Sequence, residues 1–216
     1  MEFIDKYNLN GINDSLLEEA LTHSSYSNEH KESSNYERLE FLGDAVLELI
    51  TSEYFYQNTK YHEGEMTKKR AGFVCEQALS HYAKDIGLDK YIKVGHGQVG
   101  NVNDTIIADV FEAVLGCIYL SFGLDKAREY ILTIIVPYIE KDFVFFGDYK
   151  TMLQEYVQTD KKSLEYVLVN EYGEAHDKTF EVAVKINNII YGRGIGKSKK
   201  EAEQKAAFDA YKKSAK

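Results

Sequence analysis

Four acidic side chains share one strip of a helix between Tyr36 and Glu48. At about 100° per residue, Glu40, Asp44, Glu37 and Glu48 fall within an arc of about 80°. Leu39, Leu42, Ala45, Val46, Leu49 and Ile50 cover most of the opposite side. Like charges at i,i+4 repel by about 0.2–0.5 kcal/mol per pair. Such a strip is either a solvated surface face or a place kept for a cation. A second segment, Thr105 to Gly116, shifts the balance. There Asp109 and Glu112 are i,i+3 neighbours, flanked on their face by Thr105, Ala113 and Gly116, which leave room beside the carboxylates. The remaining residues (Ile106, Ile107, Val110, Val114, Ile118) are too apolar for a solvated element. Carboxylates on a core-like helix must be paired or bind metal, and two such helices favour a metal site.

The elements that would position these acids follow from hydrophobic period and turn chemistry. Up to about residue 141 the pattern is helical. Asp14 or Ser15 caps a first helix containing Leu16, Leu17 and Leu21, and Asn35 caps the first acidic helix, which runs to about Tyr56. A single helix is expected from about Gly64 to Ile86, burying Met66, Val74, Leu79 and Tyr82. Residues 87–103, with Gly87, Gly95, Gly97 and Gly100, read as a loop. The second acidic helix then runs to Phe122, Gly123 breaks it, and a last helix from about Asp125 carries Pro137. Beyond Gly147 the period changes. A short helix, Tyr149 to Gln158, precedes three alternating strands, Glu165 to Tyr172, Lys178 to Ile186 and Ile189 to Ile195. Asn187-Asn188 suits a tight hairpin, and Ser198 with Glu201 forms a capping box for a helix to about Lys213. The expectation is an all-α domain at 1–143, a linker at 144–147 and an α+β (α-β-β-β-α) domain at 148–216.

The charge is divided the same way. Residues 1–147 hold 13 Lys and Arg against 24 Asp and Glu, and residues 148–216 hold 13 against 11. The formal charge of −9 therefore splits into −11 and +2, an acidic half suited to cations and a mildly basic half suited to a polyanion. Lys197, Lys199 and Lys200 crowd a helix start, where the helix dipole favours acids. With free helix N–H groups they make an anion site, unless they are simply a solvated cluster. Cys75 and Cys117 lack metal spacing and read as reduced core residues. The first residues show no signal peptide and no run approaches 18 apolar residues, so a cytoplasmic protein with no membrane contact is expected.

With these motifs in view, the chain resembles the bacterial-type ribonuclease III family. Glu37 to Glu48 is similar to the family signature, and Ile107-Ala108-Asp109-Val110-Phe111-Glu112-Ala113 to its second acidic motif. Ala20 to Tyr26 and Glu63-Gly64-Glu65-Met66-Thr67 match in order and spacing. Gly173-Glu174-Ala175-His176-Asp177 and Gly194 to Ala202 resemble a double-stranded-RNA-binding domain. The resemblance implies an endoribonuclease that cleaves double-stranded RNA by Mg²⁺-dependent hydrolysis, with Mn²⁺ as a substitute. It implies 5′-phosphate and 3′-hydroxyl products, and structured precursors such as rRNA and some mRNAs as substrates. It assigns Glu40, Asp109 and Glu112 as metal ligands, Asp44 and Glu112 as catalytic, and a second metal arriving with substrate as compatible with in-line displacement.

The same resemblance assigns RNA contacts to Gln154, Gln158, His176, Lys197, Lys199 and Lys200, across two minor grooves and the major-groove phosphates between them. Glu37 and Glu63 either contact RNA or support the site, or are surface acids, and Glu48 reads as a surface or subunit-contact residue. His23 reads as a packed, hydrogen-bonded histidine. A duplex has two antiparallel strands, so a two-fold homodimer would present one site to each, with Phe41, Leu42 and Gly43 either candidates for the contact or ordinary intrachain packing residues. Two positions depart from the family pattern. Gln98 stands where the family usually carries glutamate, and Gly100 to Asp104 lacks basic residues. Both bear on substrate affinity or selectivity. The rival from another class is a non-cleaving double-stranded-RNA-binding protein. A hydrolase of small phosphate esters leaves the basic tail unexplained.

Overall fold

Helical periodicity up to residue 141 produces α1 (Glu2–Lys6), α2 (Asp14–Ala20), α3 (Ser24–Glu29), α4 (Glu37–Asn58), α5 (Glu63–Phe73), α6 (Glu76–Asp85), α7 (Asp104–Phe122) and α8 (Leu124–Glu140). The computed structural model describes residues 1–31, 33–143, 145, 149–159, 163–174 and 178–214. The chain divides into two units, Met1–Phe145 and Phe146–Lys216.

Several local expectations are corrected. The cap of α2 is Asn13, whose Oδ1 accepts from the Leu16 N–H at 3.1 Å, not Asp14 or Ser15. Asn35 does serve α4, but from one residue outside its cap position, accepting from Glu37 N–H at 3.2 Å. Short helices α1 and α3 were not legible, being under two turns each. The single helix expected over 64–86 is two, broken at Val74 and Cys75, where Cys75 is extended (φ −76°, ψ 158°). The Tyr82 hydroxyl donates to the Phe73 carbonyl at 3.2 Å, satisfying a carbonyl that the break leaves without a helical partner. Within the glycine-rich segment, Leu88–Tyr91 and His96–Gln98 form 3₁₀ turns. Phe145, expected in the linker, is buried in the first unit among Phe73, Tyr82, Tyr138 and Phe143. The rest of the expected linker lies outside the described residues.

By length and composition α7 could cross a membrane, against the expectation that no segment would. Yet eleven of its residues, from Ile106 to Ile118, are buried within the first unit, which is the burial of a core helix. Asn103 caps it through Oδ1, accepting from Ile106 N–H at 3.0 Å. Two glycines set how α7 meets α4. A Cβ on Gly43 would lie 1.9 Å from the Glu112 carbonyl oxygen, and one on Gly116 would lie 2.4 Å from that of Leu39. The two acidic helices therefore cross in backbone contact. Of the two readings open for Gly43, subunit contact or intrachain packing, the structure shows an intrachain crossing. Leu42 is half-buried against the same core. Phe41, by contrast, is 82% exposed. Ala45 and Leu49, expected on the packed side of α4, are exposed too.

The second unit contains α9 (Tyr149–Thr159), β1 (Leu164–Tyr172), β2 (Thr179–Ile186), β3 (Ile189–Gly196) and α10 (Lys199–Ser214). The strands pair antiparallel in the order β1-β2-β3. Asn187 (φ 49°) and Asn188 (φ 66°) make the tight turn between β2 and β3. Val182, Val184 and Ile186 of β2 form a core with Tyr149, Leu153 and Val157 of α9. On β3, Gly192 and Gly194 face α10 so closely that a Cβ on either would fall 2.2 Å from a carbonyl oxygen, of Ala206 and Ala202 respectively. Ala202, Ala206 and Ala210, at i, i+4 and i+8, supply the matching flat helix face.

Candidate active site

The α4–α7 crossing brings the four core acids into one electrostatic neighbourhood. Glu112, half-buried on α7, has its carboxyl pushed up to about 8, first by burial and then by the charges of Asp44, Glu40, Asp109 and Glu48. Burial also raises Glu40, helped by Asp109, Glu37 and Asp44. Asp109 is raised by burial, partly offset by a hydrogen bond from Tyr36, whose hydroxyl donates to Oδ2 at 3.0 Å. Asp44 is solvent-exposed beside them. Glu112 and Glu40 lifted by neighbouring acids are what results when negative charge gathers without a matching positive one. Arg70 comes within 3.7 Å of Glu48 at the edge of the group. Among the described residues no three or more His, Cys, Asp or Glu side chains are arranged as a metal site as they stand. The donor set nevertheless fits a hard divalent cation, being all oxygen, multiply acidic and electrostatically strained.

Two further acids singled out in the sequence, Glu37 and Glu63, are less engaged. Glu37 is exposed, and Glu63 is exposed with Oε1 accepting from the Thr67 hydroxyl at 3.5 Å. Gln98 ends the short turn His96–Gln98, half-buried. That turn is tied to α3. Gly95 N–H donates to Ser25 Oγ at 2.9 Å, and His96 bonds Glu29 through its backbone N–H (2.9 Å) and Nδ1 (2.6 Å). His23 is a packed residue, its Nδ1 2.8 Å from Ser25 Oγ and its ring 5.7 Å from that of Tyr36. Sequence reasoning missed Tyr36. Its one visible signal was its place immediately before the acidic strip.

In the second unit, Gln154 and Gln158 lie at i,i+4 on the exposed side of α9, away from Leu153 and Val157. Lys197, Lys199 and Lys200 are exposed at the start of α10, with the Lys199 ammonium 5.8 Å from the Phe180 ring centre. Ser198 Oγ accepts from Glu201 N–H at 3.1 Å, and the Glu201 carboxylate accepts from Lys197 N–H at 2.7 Å. This box holds the lysine-bearing turn. His176 lies outside the described residues.

Comparison with known proteins gives each unit a counterpart. Residues 13–139 match a family described as ribonuclease-III-like, and residues 149–214 match the double-stranded RNA binding motif. A protein named Ribonuclease 3 from Onion yellows phytoplasma (strain OY-M) is 45% identical over 212 residues, covering 97% of this chain and 89% of its own. A Ribonuclease 3 from Streptococcus pyogenes serotype M3 (strain SSI-1) is 46% identical over 203 residues, covering 90% and 88%. Among solved structures, the nuclease domain of ribonuclease III from Campylobacter jejuni matches with a TM-score of 0.57 and 35% identity, covering 62% of this chain and 94% of that one. It was described for structural flexibility in a region involved in dimer formation.

Proposed function

The chain belongs to the ribonuclease III family, and on that premise we propose that it is an endoribonuclease that cleaves double-stranded RNA by Mg²⁺-dependent hydrolysis, leaving 5′-phosphate and 3′-hydroxyl ends. The observation that carries this reading is the gathering of Glu40 and Asp44 of α4 with Asp109 and Glu112 of α7 where the two helices meet in backbone contact.

Glu40, Asp109 and Glu112 would hold the cation, with Asp44 beside them. When bound, Mg²⁺ would supply an activated water, offset charge on the phosphate and support the leaving 3′-oxygen. Mn²⁺ would substitute. The chain's own contribution is to fix carboxylates from two helices by a crossing that admits no side chain at Gly43 or Gly116.

The second unit would grip the duplex by shape and phosphate charge, through Gln154 and Gln158, His176 in its loop, and Lys197, Lys199 and Lys200. The exposed apolar row on α4, with Phe41 82%, Leu49 54% and Tyr56 77% exposed, supports a homodimer with one site for each strand. Structured precursors of rRNA and some mRNAs, met in the cytoplasm, would be the substrates. The test is incubation of an end-labelled duplex with protein and Mg²⁺. Cleavage by the wild type, lost in Asp44→Asn and Glu112→Gln while duplex binding persists, supports the reading. An intact duplex under wild-type protein would leave a binding-only protein.

A further inference from the structure

We propose that Tyr36 is a positioning residue for the acidic site: its phenol fixes the Asp109 carboxylate, and the segment Leu21–His23 in turn ties Tyr36 to Lys93 within the glycine-rich segment. The inference deepens the proposed function and rests on that reading of the four acids.

Three observations carry it. Tyr36 is only 4% exposed, and its hydroxyl spends its hydrogen bond on Asp109 Oδ2, at 3.0 Å, across 73 residues of sequence. The ring alone would fill the space. The hydroxyl adds a directed bond to one carboxylate oxygen, which restrains rotation of the carboxylate and leaves its other oxygen available.

The second observation is chemical. A neutral donor orients a carboxylate without cancelling its charge. Lysine or arginine in the same place would orient it too, but would supply the positive charge that a bound cation must otherwise bring. A phenol is neutral at neutral pH and donates through its one hydroxyl hydrogen, here to Asp109 Oδ2.

The third is that Tyr36 is itself held from several directions. Its N–H donates to Thr22 O at 3.0 Å. His23 N–H donates to Lys93 O at 2.9 Å, and Lys93 N–H to Leu21 O at 2.8 Å. The His23 ring lies against the Tyr36 ring, and His23 and Gly95 both bond Ser25 Oγ. A side chain so fixed can transmit its own placement to the carboxylate it bonds, which is how groups behind metal ligands tune affinity by about 10–100-fold.

Tyr36→Phe removes the hydroxyl and keeps the ring. Mn²⁺ binding is read by calorimetry without RNA, and separately as the rise in Tm that Mn²⁺ produces. The expected result is Mn²⁺ affinity lower by about 10-fold, with kcat reduced at limiting Mg²⁺, recovered at high Mg²⁺, and KM for the duplex held. Adding Tyr36→Phe to Asp109→Ala should change the Mn²⁺-induced rise in Tm no further, because no carboxylate is left to position. Mn²⁺ binding by Tyr36→Phe equal to the wild type would overturn the inference while leaving the four-acid site intact, as would a further loss in the double variant. Absence of Mn²⁺ binding by the wild type itself would overturn both.

Discussion

At the scale of residues, Glu112 carries a carboxyl group raised well above its ordinary range, by burial and then by neighbouring acids. Its folded-state pKa, about 8, stands above the ordinary 4.5. A carboxyl group raised on folding binds more protons folded than unfolded, so its contribution to stability is full below about 4.5 and is lost as pH rises through about 8. Metal-free protein should therefore weaken over that window in a thermal melt, and Mn²⁺ should restore stability most at its alkaline end. Calorimetry in buffers of differing ionisation heat should register proton release when Mn²⁺ binds near neutral pH. Glu112→Gln should flatten the melt profile and raise the metal-free Tm near pH 8 by roughly 2–4 °C for each kcal/mol relieved, while abolishing cleavage. The acids were legible because charge on a core-like helix is conspicuous in one dimension. Tyr36 was not, because its partner lies on another helix. Gly43 stayed ambiguous for a related reason: a missing side chain shows that something comes close, not what.

At the scale of elements, two close approaches do the positioning. Gly43→Ala would drive a methyl group into the Glu112 carbonyl, so α4 and α7 must separate, at a cost of about 1–3 kcal/mol. The expected outcome is a lower Tm together with a loss of Mn²⁺ affinity larger than the stability change alone would produce, read by calorimetry. On β3, Gly194→Ala meets the Ala202 carbonyl in the same way. It should weaken duplex binding while Mn²⁺ binding by the first unit persists. Element order and hairpin placement were readable from period and turn residues. The break at Val74 and Cys75 was not, because the residues on either side keep a helical period and the bond from Tyr82 to the Phe73 carbonyl that helps satisfy the interruption is not visible in one dimension. Asn13 was missed as a cap because two further capping residues follow it directly.

At the scale of the whole molecule, the division of charge into −11 and +2 separates a unit that gathers cations from one that meets a polyanion. Replacing Lys197, Lys199 and Lys200 together with alanine should weaken duplex binding without sequence preference, and reduce the salt slope by roughly 0.9 for each phosphate no longer neutralised. Binding titrations at several salt concentrations would read this. If the exposed row on α4 joins two copies, Phe41→Asp should shift sedimentation from dimer to monomer and reduce paired cuts on a duplex. Of this row the sequence singled out Phe41 as a contact candidate and placed Leu49 on the apolar side opposite the acids, and the exposure of both follows from how α4 packs.

The central claim is that Glu40, Asp109 and Glu112, with Asp44 beside them, close on a divalent cation at the α4–α7 crossing. An anomalous difference map from a crystal grown with Mn²⁺ tests it most directly. The predicted result is a peak at bonding distance from oxygens of Glu40, Asp109 and Glu112. A map with no peak there, or with its strongest peak bound elsewhere on the chain, would contradict it.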